Sequence, residues 1–185
     1  VDEITDAPAT EYIVGLAPED ALSASGEISA NTTIELSSAE ERPIVIKEWT
    51  EVYEIGCFAA SSSGASRVAV VGLFNAVLDT GARYLPTTAV QDSSADVEAA
   101  ISIPGGTTKA EHTEAVSFLI PPGTYMLKTV TSGLTRFLDN YNTTAYLRYR
   151  YSSGTYPTLV DPTAAATNRT GGDIVMWMRC RSISS

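Results

Sequence analysis

Short apolar stretches run the length of the chain, built from β-branched and aromatic residues and cut by clusters of Gly, Pro, Ser and Asp, while 3.6-residue periodicity is nearly absent. Near the C-terminus Ile174, Met176, Met178 and Cys180 fall on one face, and Val175, Trp177, Arg179 and Arg181 on the other. Upstream, Ala145, Leu147, Tyr149 and Tyr151 alternate with Tyr146, Arg148 and Arg150. Strict alternation of this kind predicts antiparallel strands with one face in a core and the other toward solvent or a neighbouring subunit. The pattern predicts strands at Glu11–Leu16, Glu27–Leu36, Ile44–Ile55, Arg67–Asn75, Val97–Ile103, Ala115–Ile120, Thr124–Thr131, Thr144–Tyr151 and Asp173–Ile183. Pro121-Pro122-Gly123 marks a tight turn, and Ser61–Gly64, Pro104–Thr108, Ser152–Pro157 and Asp161–Gly172 read as exposed loops.

That strand count predicts an all-β single jelly roll: two packed antiparallel sheets, eight or more strands, little helix. The rival immunoglobulin-like sandwich would pair its cysteines at strand B to strand F spacing, and Cys57 and Cys180 lie too far apart for that. Residues 1–9 read as an acidic N-terminal arm and 10–185 as one domain, a size that 185 residues with 44% hydrophobic content support.

Charge narrows the partners. A net charge of -10 argues against direct nucleic-acid binding through phosphate neutralisation. No apolar run is long enough for a transmembrane helix, and Val1-Asp2-Glu3 is the reverse of a basic signal-peptide start, so neither a membrane span nor a secretion signal is expected in these residues, which is compatible with a signal already removed. Only Lys47, Lys109 and Lys128 are lysines, against nine arginines, and Ser, Thr and Ala fill the deficit. An acid-rich, Lys-poor surface suits molar salt, where the Debye length falls to about 3 Å. Charge is also polarised: residues 1–54 hold thirteen acids against Arg42 and Lys47, whereas 136–185 hold six arginines against Asp139, Asp161 and Asp173. Two readings of the arginines stand. Either Arg148, Arg150, Arg179 and Arg181, with Tyr146 and Trp177 beside them, form a subunit contact, or acids of the same chain pair with them across a sheet.

No catalytic constellation is found, and no enzyme activity or cofactor is expected. The single histidine, His112, between Glu111 and Glu114, reads as a loop or strand-edge residue, since no G-x-S-x-G elbow supplies a nucleophile. Cys57, Cys180 and His112 lack zinc-ligand spacing. Pro104–Lys109 lacks the strand-to-helix setting of a phosphate loop, and Asp139–Asn142 lacks the glycine and distal glutamate of an EF-hand. Glu40-Glu41 and Asp96/Glu98 read as solvated surface rather than a glycosidase pair. Asn31, Asn142 and Asn168 each begin a glycosylation sequon. The cysteines suit buried thiols or a bond between subunits through Cys57 better than an internal disulfide.

An all-β, acidic, Lys-poor chain of this length without catalytic residues resembles the smaller major capsid proteins of haloarchaeal icosahedral viruses with an internal membrane, the sphaerolipovirus-type vertical single β-barrel family. The resemblance covers length, composition and strand count. It implies a virion protein of a high-salt, extracellular setting, whose partners are further copies, a related larger barrel protein and the membrane beneath or its associated proteins, with no small-molecule substrate. Pseudo-hexameric capsomers in an icosahedral shell follow from it. The alternative is an archaeal surface pilus or thread subunit joined by β-strand addition. A third reading, a carbohydrate-binding jelly roll, would use Trp49, Trp177 and the Tyr146–Tyr156 cluster to stack sugars.

Overall fold

The computed structural model describes residues 9–16, 31–34, 38–61, 64–78, 84–133, 135–140, 150–153, 167–168 and 173–183, and among these every regular element is a strand. They are β1 (Glu11–Gly15), β2 (Asn31–Ile34), β3 (Ser38–Ile46), β4 (Thr50–Ser61), β5 (Arg67–Leu78), β6 (Tyr84–Ala89), β7 (Gln91–Asp92), β8 (Ala95–Asp96), β9 (Glu98–Ile103), β10 (Ala110–Ile120), β11 (Gly123–Thr131), β12 (Thr135–Asn140), β13 (Arg150–Ser153), β14 (Thr167–Asn168), β15 (Asp173–Ile174) and β16 (Met176–Ser182).

The pairing has the signature of a rolled-up ribbon. The first described strand pairs with the last, β1 with β16; then β3 pairs with β11, β4 with β10 and β5 with β9, all antiparallel. Two further pairings, β16 with β4 and β11 with β5, close the roll into sheets of order β1-β16-β4-β10 and β3-β11-β5-β9. This is jelly-roll order. Between β11 and β16 the chain adds β12, which extends the first sheet beside the end of β4, and β13, which extends the second beside β3.

Alternation explains the core. Val52, Ile55, Cys57, Met176, Met178 and Cys180 from the first sheet meet Ile44, Ile46, Val71, Leu73, Ile101, Ile103 and Leu127 from the second in one buried cluster. A bulge in the β4–β16 pairing lets Val52 and Ile55 both point inward although three positions separate them. The sequence alternation at Met176, Met178 and Cys180 is the one observed.

Three expectations need correcting. The apolar run Ile44–Ile55 is two strands, because the chain crosses between sheets at Lys47–Trp49, where the Thr50 hydroxyl donates to the Glu48 carbonyl at 2.8 Å. No Gly or Pro announces this turn; adjacent charges at Lys47 and Glu48 are its only mark. Glu41 is not solvated: it is fully buried, 3.2 Å from the fully buried Lys128 ammonium directly across the β3–β11 pair. Segment 38–43, which falls between two predicted strands, is itself strand, the first part of β3. The expected arm at 1–9 lies outside the described residues but for Ala9, as do 144–149 of the strand expected at Thr144–Tyr151 and most of the loop at Asp161–Gly172.

Candidate assembly surface

The roll has two chemically different ends. At one, β3, β5, β10 and β16 finish and β4, β6 and β11 begin, with Gly123 opposite Ile46 and Ser182 opposite Thr50. Among the residues whose side chains are described, every large apolar one that is exposed lies at this end: Val45, Trp49, Val77, Leu78, Tyr84, Leu119 and Ile183. Trp49 is half exposed on the β3–β4 turn, and its carbonyl accepts from the Ile183 N–H at 3.0 Å, so two of these residues touch through the backbone. Val77 continues the inward face of β5 yet is 49% exposed, and Leu78 on the opposite face is 60% exposed. The β5–β6 hairpin therefore runs past the end of the sandwich with apolar residues on both sides. At the other end the described connections include Gly64–Ser66 and Pro104–Lys109, built mostly of small and polar residues. Gly105 there is obligatory, since a Cβ would stand 2.1 Å from the Gly64 carbonyl oxygen.

On the outer face of the first sheet, the expected arginine face separates into two parts. Trp177 is fully buried and packs with Leu16 and Val175, flanked by Ile13 and Phe58. Its ring lies across β4 at Gly56, where a Cβ would come within 2.4 Å of the indole. Trp177 is thereby removed from any sugar-stacking surface, while Trp49 stays exposed. Below it the charges form a ladder. Arg179 Nε donates to Glu54 at 2.8 Å and its Nη2 stands 3.6 Å from Glu111; Arg181 Nε stands 3.0 Å from Glu51, and its guanidinium sits 5.1 Å over the Tyr53 ring. Acids of the same chain stand beside both arginines. Arg179 is 32% exposed and Arg181 42%, so each pair is worth less than about 1 kcal/mol. Arg150 is placed opposite Glu41 by backbone pairing, and Tyr146 and Arg148 lie outside the described residues.

Cys57 and Cys180 are free thiols inside the sandwich, and burial pushes both up to about 12. A bond from Cys57 to another subunit would require the core to open, so the inter-subunit disulfide is corrected to a buried thiol. His112 occupies the strand-edge position, on β10, and its Nε2–H donates to the Ala59 carbonyl at 3.1 Å. Among the described residues no three His, Cys, Asp or Glu side chains gather to hold a metal ion. Asn31 falls in β2 and Asn168 in β14, while Asn142 lies outside the described residues.

Two features escaped the sequence reading. The Lys128–Glu41 pair, with Lys128 also 5.4 Å over the Phe74 ring, sits on the outer face of the second sheet, where Met126 and Val130 are buried too. Its only signal was a lysine within the apolar run Tyr125–Val130. The apolar end combines residues far apart in the chain, and no local pattern marks it. No protein-family model, curated protein or solved structure matches this chain.

Proposed function

We propose that the chain is a structural virion protein, a jelly-roll major capsid subunit that assembles with itself and a related larger barrel protein into the capsomers of an icosahedral shell, with the roll standing across the shell. The observation that carries this reading is the polarity of the roll: exposed large apolar residues at one end and small polar loops at the other. A shell subunit meets different surroundings inside and outside, and an upright roll presents one end to each. Jelly rolls also serve as lectins and cupins, so the fold alone does not choose. Trp177 is withdrawn from a sugar platform by burial, and His112 is engaged with a backbone carbonyl. Gathering of the exposed large apolar residues at one end favours assembly.

Negative-stain imaging of native material tests the reading directly. Closed shells are expected, and filaments or dispersed monomers would overturn it. Within shells, Trp49→Glu and Leu78→Glu should leave the melting temperature within a few degrees of the parent, since both positions are exposed, and abolish particle formation. Shells built normally by both variants would show that the apolar end is not a contact.

A further inference from the structure

The first sheet ends in an open strand edge. Phe58 N–H donates to the Val175 carbonyl at 3.0 Å, on the side of β4 away from β10. Alternation therefore turns the backbone groups of Cys57 and Ala59 toward β10, where they meet His112 and Ala110. It follows that on β10 the N–H and C=O groups of Glu111, Thr113 and Ala115 point away from the sheet. No strand pairs with that side among the described residues. Ala110, Glu111, Thr113, Glu114 and Ala115 are all exposed, and His112 is half-buried. Farther along, the same edge is closed: the pairing with β4 bulges between Ala115 and Phe118, and the Leu119 N–H donates to the Asp92 carboxylate at 2.8 Å. A bulge and a carboxylate bonded to an outward N–H close that stretch, whereas Ala110–Ala115 pairs with β4 without a bulge and carries Glu111 and Glu114 as side chains on its two faces.

We infer that this segment pairs with the same segment of a second copy, antiparallel about a two-fold axis at Thr113. In that register Thr113 exchanges both backbone bonds with its counterpart, and Glu111 does so with the partner copy's Ala115. It is the only register centred within the open segment that sets each imidazole opposite a carboxylate, His112 facing Glu114 in both directions. No two carboxylates stand directly opposite, and Glu111 already has Arg179 of its own chain beside it at 3.6 Å. A two-fold contact must be complementary to itself, and this segment is. The pairing stands apart from the shell reading, since a pair in solution requires no shell.

Sedimentation of the full chain, up to roughly 0.5 mM, should show a reversible monomer–dimer equilibrium. Thr113→Pro removes an outward N–H that β4 does not use, and should raise the dimer dissociation constant at least about 10-fold with the fold retained. Thr113→Cys should form a dimer disulfide under mild oxidation, because Cα atoms of a hydrogen-bonded antiparallel pair stand about 5.5 Å apart, within disulfide reach. The native thiols do not compete, being buried. Should the proline variant fail to fold, His112→Glu serves instead: it sets carboxylates opposite each other and should weaken the dimer, and adding Glu114→His should restore it. A chain that stays monomeric throughout, a dimer indifferent to these changes, or a dimer that Thr113→Cys does not cross-link overturns the inference. A pair that builds no shell leaves it standing and removes the shell reading, so the two fail separately.

Discussion

At the scale of single residues, the contact between Gly56 and Trp177 sets the tightest requirement. The indole is fully buried across β4 and has no room to retreat from a methyl group 2.4 Å away. Gly56→Ala is expected to cost about 2–3 kcal/mol, read as a fall in the thermal midpoint, whereas Gly64→Ala, whose Cβ meets nothing within 4 Å, should fold as the parent does. Equal midpoints for the two variants would show that Trp177 does not lie against Gly56. The two thiols give a pH prediction. Burial raises Cys57 and Cys180 from 9.0 to about 12, so the folded state keeps protons that the unfolded chain releases. Their contribution is fully present below about pH 9 and is lost as pH rises toward 12. Tyr12 and Tyr125, raised chiefly by burial, act in the same direction above pH 10. Denaturant melts should lose stability across this window, and replacing both cysteines by Ala should flatten the loss; a slope unchanged by that replacement contradicts the buried-thiol account.

At the scale of strands, the Lys128–Glu41 pair ties β3 to β11 inside a region from which water is excluded. Lys128→Met takes a close cation from the buried Glu41 carboxylate and should cost up to about 3–5 kcal/mol, while Lys128→Met with Glu41→Leu should recover much of the loss. A double variant as unstable as the sum of the single ones would mean that the two groups do not interact. The strands also show what the sequence made legible. Alternation at Met176, Met178 and Cys180 predicted the inward face of β16 because a strand with one face in the core writes its burial into every second residue. The turn at Lys47–Trp49 went unread because a hydroxyl-to-carbonyl bond closes it without Gly or Pro. Segment 38–43 went unread because its carboxylate is neutralised by a lysine 87 positions later, and only pairing reveals that. The apolar end was illegible for a related reason, its members coming from six separate strand ends or turns.

At the scale of the molecule, a net charge of -10 makes the folded chain repel itself, and screening should relieve the strain. The thermal midpoint is expected to rise between about 0.1 and 3 M salt, and a flat response would remove the high-salt setting read from the acid-rich, Lys-poor composition. The rolled pairing has a further consequence, for the order in which the molecule is made. Thr10 N–H donates to the Ser182 hydroxyl and the Thr10 carbonyl accepts from the Ser182 N–H, so the first described strand is locked by residues 172 positions later. A ribosome that has delivered everything up to β11 has delivered a half-roll: β3, β5, β9 and β11 can already pair, whereas β1 and the inner edge of β4 wait for β16. Such distant pairings slow folding, and the unfinished sheet leaves strand edges bare until β16 has emerged. Of the described strands the last to be made is therefore the one that closes the roll, and a nascent chain stalled before Met176 would expose a sticky half-roll to every copy near it.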